Sequence, residues 1–129
     1  MYTEELEVLS IIAQKIQGFL EEDFDESPNA LVERLGIINS YLAVSGKALA
    51  DAKLIQDKQA QLIFAEELKS ITKMPATIAA KFISCQNSEA NYVVNWLDRL
   101  NRSLVHIGDN TRTQISFAKE ELRLTKQGY

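Results

Sequence analysis

The stretch of sequence that decides the fold runs from residue 89 to residue 126 and reads EANYVVNWLDRLNRSLVHIGDNTRTQISFAKEELRLTK. On a helical wheel, its mostly apolar residues at spacings of three and four fall into one sector of about 80°. These residues are Val93, Leu97, Leu100, Leu104, Ile107, Thr111, Ile115, Ala118 and Leu122. The pattern predicts one long amphipathic helix, roughly 57 Å in length, which turns a single stripe toward a core.

The segment upstream predicts a second long helix. Ser27-Pro28 is a strong start signal, because serine can cap a helix and proline suits the first helical position, where its missing N–H would be unpaired anyway. Between residues 31 and 63 the apolar residues alternate in steps of four and three, a heptad-like seam that weakens at Gln56 and Gln59. Pro75 then ends the helix, because it disfavours the α conformation at the preceding residue.

A shorter amphipathic helix precedes these two, and a short one lies between them. Two long helices joined by a compact turn should pack antiparallel. The sequence therefore predicts an all-α fold: a long antiparallel two-helix hairpin with a shorter N-terminal helix packed on it, forming a coiled-coil-like three-helix bundle. We expect a single domain over residues 1–129, with helices over about residues 3–22, 28–71, 76–84 and 89–126.

The register of the hairpin depends on where the chain reverses. A turn centred near residue 80 would place residue 49 opposite residue 110, so that the small-residue segment 43–52 faces Gly108. Small residues on both sides would let the helix axes approach closely. The alternative is that Gly46 and Gly108 merely weaken exposed helix, by about 1 kcal/mol each relative to alanine.

Composition and charge exclude several classes of protein. The chain has 129 residues, 46% of them apolar and 25% charged, which is ordinary globular usage. A net charge of -4 argues against binding of nucleic acid through bulk positive charge. Cys85 is the only cysteine, so no internal disulfide can form, which fits a reducing compartment. The first twenty residues do not resemble a secretory signal, and no segment is apolar enough to cross a bilayer. We expect a cytoplasmic protein without membrane contact.

Two surfaces are candidates for contact with other proteins. The outward side of the last helix carries Tyr92, Trp96, Arg99, Ser103, Asn110 and Phe117, and aromatic residues with arginine are enriched at interfaces. The alternative is that the first helix or a second subunit covers these residues for structural reasons. A two-helix projection also leaves Ile55 and Leu62 partly exposed, which predicts a homo-oligomer, most simply a two-fold dimer. Alternatively, segment 76–85 folds back over that patch.

A basic stripe on the last helix, formed by Arg112, Lys119 and Arg123, could contact phosphates. It is the basis of an alternative function, that of a nucleic-acid-associated accessory factor. Asp109 and Glu120 are interleaved with it, however, and solvated ion pairs explain such a face more simply.

Catalytic chemistry has little support. His106 is the only histidine, so a histidine-rich metal site is excluded, and the Glu-x-x-His pattern of di-iron bundles is absent. Ser103 lies three residues before His106, but nothing in the sequence builds an oxyanion hole. Cys85 is expected in a polar turn with only Lys81 nearby, which favours an inert thiol. We expect neither an enzyme nor a bound cofactor or metal.

The order of the segments suggests a family resemblance. A long helix carrying Tyr41 to Lys53 is followed by Pro75-Ala76-Thr77-Ile78-Ala79, a polar turn, and a long helix that contains Arg112-Thr113-Gln114-Ile115-Ser116-Phe117. Over about residues 41–122 the chain resembles small helical proteins encoded by phages and prophages, generally of unknown function. The resemblance implies a helical hairpin that associates with itself or with phage or host proteins. It supplies no catalytic or binding residues.

Overall fold

The computed structural model describes residues 2–126, and over that range the chain forms five helices and no strand. Met1 and residues 127–129, which the predicted domain includes, lie outside the described residues. The helices are α1 (Thr3–Glu21), α2 (Pro28–Glu66), α3 (Leu68–Ile71), α4 (Ala76–Gln86) and α5 (Ser88–Lys126). Helices α2 and α5 have 39 residues each, and each is about 58 Å long.

Helices α2 and α5 form the long antiparallel hairpin, and α1 packs along one side of it. The Phe19 and Tyr41 rings, on α1 and α2, lie 5.1 Å apart. Trp96 of α5 contacts Gln17 of α1. One core cluster joins the three helices, with Leu6, Leu9, Ala13 and Ile16 from α1, Ile38, Ala48, Ala52 and Ile55 from α2, and Ala90, Val93, Val94, Leu97, Leu100 and Leu104 from α5. The predicted all-α hairpin with a shorter N-terminal helix on it is confirmed.

The register of the hairpin differs from the prediction. Residue 45 lies opposite residue 101, where the Asn101 amide donates to the Ser45 hydroxyl at 2.8 Å. Residue 38 lies opposite residue 108. The chain reverses in the turn at residues 72–75, not near residue 80, because α4 packs against α2 and already belongs to the returning arm. Segment 43–52 therefore faces Asn101, and the predicted pairing of residue 49 with residue 110 is wrong.

This register leaves the end of α5 without a partner in the hairpin. Helix α2 begins at Pro28, which corresponds to the level of Ala118 when the observed pairs are extended along the two helices. Residues 119–126, which we call the α5 overhang, are all exposed. Leu122 was expected in the core stripe, but 51% of it is exposed. That expectation is wrong, because no part of α2 extends far enough to cover Leu122.

A polar layer fixes the junction between α4 and α5. The Gln59 amide donates to the Asn87 side-chain oxygen at 3.0 Å, and the Asn87 amide donates to the Gln56 backbone carbonyl at 2.8 Å. The Gln56 amide in turn donates to the Asn91 side-chain oxygen at 2.7 Å. The two glutamines that weaken the heptad seam therefore pair with asparagines across the hairpin. Asn87 is buried and forms the break between the two helices.

The helix boundaries differ from the sequence prediction in two places. The predicted helix over residues 28–71 is interrupted at Glu67, so that α2 ends at Glu66 and a single turn, α3, follows. Helix α4 continues to Gln86, beyond the predicted residue 84. Cys85 consequently lies in a helix, not in a polar turn, and its thiol is exposed.

Candidate protein-interaction surfaces

The aromatic end of α5 is built around Tyr92 and Trp96. Their rings lie 5.8 Å apart at an interplanar angle of 53°. Tyr92 is 64% exposed. Trp96 is half-buried, and its indole N–H donates to the Gln17 side-chain oxygen at 3.1 Å, which attaches it to α1. Arg99 is exposed one turn further along, and all three residues line one open groove.

The other residues of the predicted α5 interface follow the same side of the helix. Ser103 is half-buried and Asn110 is exposed. Phe117 is 68% exposed and lies near the overhang, about 38 Å along the helix from Tyr92. The six predicted residues therefore form a long stripe, in which only Tyr92, Trp96 and Arg99 line a common groove.

The second predicted patch is only partly open. Ile55 is 8% exposed, because the N-terminal half of α1 covers it and packs it with Leu6 and Leu9. The prediction that Ile55 is accessible is wrong. Leu62 remains exposed, and so do Phe64 and Leu68, although α4 packs against α2.

An apolar groove along the seam between α1 and α2 was not predicted as a site. Its exposed apolar residues are Val8 on α1 and Val44, Leu54 and Leu62 on α2. The groove has three adjoining sections. Leu9 and Asp51 line both the middle section and the section on one side of it, and Tyr2 and Lys58 line both the middle section and the section on the other side. The three sections therefore form one continuous groove. A second apolar stripe runs along α2 beside the heptad-like seam and contains Ala48, Ile55 and Leu62; it is the sequence signal for this groove.

The basic stripe on α5 is largely paired with acids of the same helix. Arg112 contacts Asp109 at 3.1 Å, and Arg123 contacts Glu120. The hydrogen bond to Glu120 raises the pKa of Arg123 above its ordinary value. Lys119 lies between them and is exposed. The structure thus places the three predicted phosphate contacts on one exposed helix, with both arginines already bound to carboxylates.

A buried arginine packs against two aromatic rings where the chain passes from α1 to α2. The guanidinium of Arg34 lies 4.8 Å from the centre of the Phe19 ring and 3.8 Å from that of Phe24. Arg34 is 8% exposed, and its Nε has no hydrogen-bond partner. Burial lowers the pKa of Arg34, and the nearby Glu22 carboxylate opposes that effect. No pattern in the sequence indicated that this arginine is buried.

The residues considered for chemistry lie apart from one another. His106 is exposed on α5 and Cys85 is exposed on α4. Between residues 2 and 126, no group of three or more His, Cys, Asp and Glu side chains is placed to bind a metal ion. Over the same residues, no helix is both long enough and apolar enough to span a membrane.

Comparison with known proteins gives no relative. No protein-family model matches this chain, and no curated protein or solved structure is detectably similar to it. A function must therefore be inferred from its packing and its surfaces.

Proposed function

We propose that this chain is a non-enzymatic helical interaction and assembly protein of the cytoplasm, and that it self-associates, most simply as a two-fold dimer. The observation that carries the proposal is the large solvent-accessible surface area of the chain. The chain exposes 8875 Å², whereas a compact monomer of the same mass exposes about 6,900 Å². A specific interface buries about 800 Å² of each partner, so the excess exceeds what one such interface would cover.

The composition of the surface supports the same function. Large apolar residues are exposed on several sides of the bundle, among them Val8, Ile11, Val32, Ile37, Leu54, Phe64, Phe117 and Leu122. Single exposed apolar residues are ordinary, but Val8, Val44, Leu54 and Leu62 lie along one continuous groove, and a continuous apolar patch is typical of proteins that bind other proteins. The groove with Tyr92, Trp96 and Arg99 adds the three residue types that most often dominate binding energy at interfaces. This groove is the surface we propose for a partner other than a second copy.

The resemblance of residues 41–122 to small phage and prophage helical proteins supports an origin in a phage or mobile element. The partner at the Tyr92 groove would then be a phage or host protein. The alternative function, a nucleic-acid-associated accessory factor, has less support, because Arg112 and Arg123 are already paired with acids. An accessory factor of that kind would bind DNA at low salt and lose affinity steeply as salt rises.

Sedimentation equilibrium of the full chain over a wide range of concentrations tests self-association. We expect a species of twice the 14.5 kDa chain mass. A strict monomer up to the solubility limit would overturn the proposal. Gel shifts with single- and double-stranded DNA at low salt serve as the parallel test of the alternative function.

A further inference from the structure

We propose that two copies associate through the α5 overhang, so that each overhang lies beside its counterpart and against the acidic connector of the other copy. The acidic connector is residues 22–26, the acidic part of the segment between α1 and α2. This inference rests on the proposed function, because it names the surface that self-association would use.

The overhang is amphipathic, and within residues 2–126 nothing packs against it. Leu122 is in phase with the core stripe of α5, whose last half-buried members are Ile115 and Ala118. Beyond Ala118 every described residue is exposed, including Leu122 and Leu124. Most helical stability in proteins comes from packing an apolar face. A second copy would supply the packing that α2 does not.

The connector and the overhang differ in charge. The connector carries four carboxylates, on Glu22, Asp23, Asp25 and Glu26, and no basic residue. The overhang carries Lys119, Arg123 and Lys126 together with two carboxylates, Glu120 and Glu121, so its net charge is +1 against -4 for the connector. Within residues 2–126 no ion pair joins the connector to the overhang, and Arg123 is paired only with Glu120 of its own helix. Complementary charges that remain unpaired within one chain are available to pair between two chains.

The positions of the connector and the overhang along the bundle also favour contact between two copies. Only Ser27 separates the connector from Pro28, the first residue of α2, and the overhang begins at that level of the bundle. Both features therefore lie at the same end of the molecule. A two-fold axis at this end would place the overhang of each copy against the connector of the other, which gives a closed and self-complementary interface. Phe24 and Val32 are exposed there and offer apolar surface to Leu122 of the second copy.

The groove between α1 and α2 is the alternative surface for a dimer interface, but its charges do not favour any particular partner. Glu5 and Asp51 at its rim are balanced by Lys47 and Lys58. Lys47 and Asp51 already form an ion pair at 2.6 Å. An exposed apolar residue of this groove, Leu54, therefore provides a control that is matched in type and exposure to Leu122.

The test compares dimer dissociation constants of full-length variants by sedimentation equilibrium, with circular dichroism to confirm the helical fold. All substitutions are at exposed positions. Leu122→Glu should raise the dissociation constant at least about tenfold, and Leu54→Glu should leave it within about threefold of the unmodified chain. Lys119→Glu with Lys126→Glu should also weaken the dimer, because both connector and overhang are then acidic. Adding Asp23→Lys and Glu26→Lys to that double variant should restore the dimer.

The outcomes separate this inference from the proposed function. If the unmodified chain is a monomer, both are overturned. If it is a dimer that Leu122→Glu does not weaken, or if the charge exchange restores nothing, the overhang is not the interface, while self-association stands. Loss of the dimer in Leu54→Glu alone would assign the interface to the groove between α1 and α2.

Discussion

Gly108 lies where α5 passes close to α2, and its replacement by alanine tests how tightly the two helices are packed. An alanine Cβ at this position would lie 3.5 Å from Cγ2 of Ile38 and 3.6 Å from a terminal nitrogen of Arg112. Both distances are ordinary van der Waals contacts, so the methyl group fits without displacing the helices. Gly108→Ala should therefore gain most of the helix propensity difference, which is about 0.8–1.0 kcal/mol.

Gly36→Ala provides the matched control. Gly36 lies in α2, and a Cβ added there meets nothing within 4 Å. Both variants should raise the midpoint of thermal unfolding by similar amounts, about 3–5 °C for a chain of this size. Far-UV circular dichroism at one fixed protein concentration measures both shifts, since the midpoint of an oligomer depends on concentration. If Gly108→Ala destabilises the chain while Gly36→Ala stabilises it, the helices need a glycine at this contact and the reasoning fails.

Two further substitutions test the buried polar groups, each by urea unfolding. Asn87→Ala should destabilise the chain by about 1–3 kcal/mol, because it leaves the Gln59 amide without its buried partner. The control is Asn95→Ala, at an exposed position of α5. Equal effects of the two substitutions would show that the polar layer contributes nothing to stability. Arg34→Met should be neutral or stabilise the chain by up to about 1 kcal/mol, because it removes a buried Nε that has no partner and keeps apolar contact with Phe19 and Phe24. A loss of more than about 2 kcal/mol would show that the contact of the Arg34 cation with the rings outweighs its desolvation.

The helices were predictable because their signals are local. The stripe from Val93 to Leu104 is periodic, and these residues are buried as a face of α5. Helix α2 begins at Pro28 as predicted, although the Ser27 hydroxyl makes no capping bond and donates to the Asp25 carboxylate instead. Pro75 stands in the turn that separates the two arms of the hairpin. Each of these signals acts within a few residues of the chain, so a single sequence suffices to read it.

The interaction surfaces were harder to predict, because exposure depends on which helices are neighbours. Periodicity indicates which face of a helix is apolar but not what covers that face. Ile55 belongs to the second stripe of α2, and it is buried because α1 happens to extend over it. Leu62 belongs to the same stripe and stays exposed, since it lies at the edge of the groove near Tyr2, at the start of α1. The sequence predicted that Tyr92 and Trp96 lie on the same side of α5. It did not predict the hydrogen bond that the Trp96 indole N–H donates to the Gln17 side chain.

The register of the hairpin links the polar residues of the core to the exposed end of α5. Sliding α5 by one heptad, about 10 Å, would keep its apolar stripe facing α2 and would bring the start of α2 to the level of residue 125, over most of the overhang. The same slide would separate Asn101 from Ser45 and Asn87 from Gln59, leaving buried polar groups without partners. An apolar seam tolerates such a shift, whereas specific buried hydrogen bonds do not, which is how a buried polar residue fixes the register of a coiled coil. Together with the short turn at residues 72–75, these two polar contacts hold the overhang beyond the reach of α2, which leaves it available for the contact with a second copy that we propose.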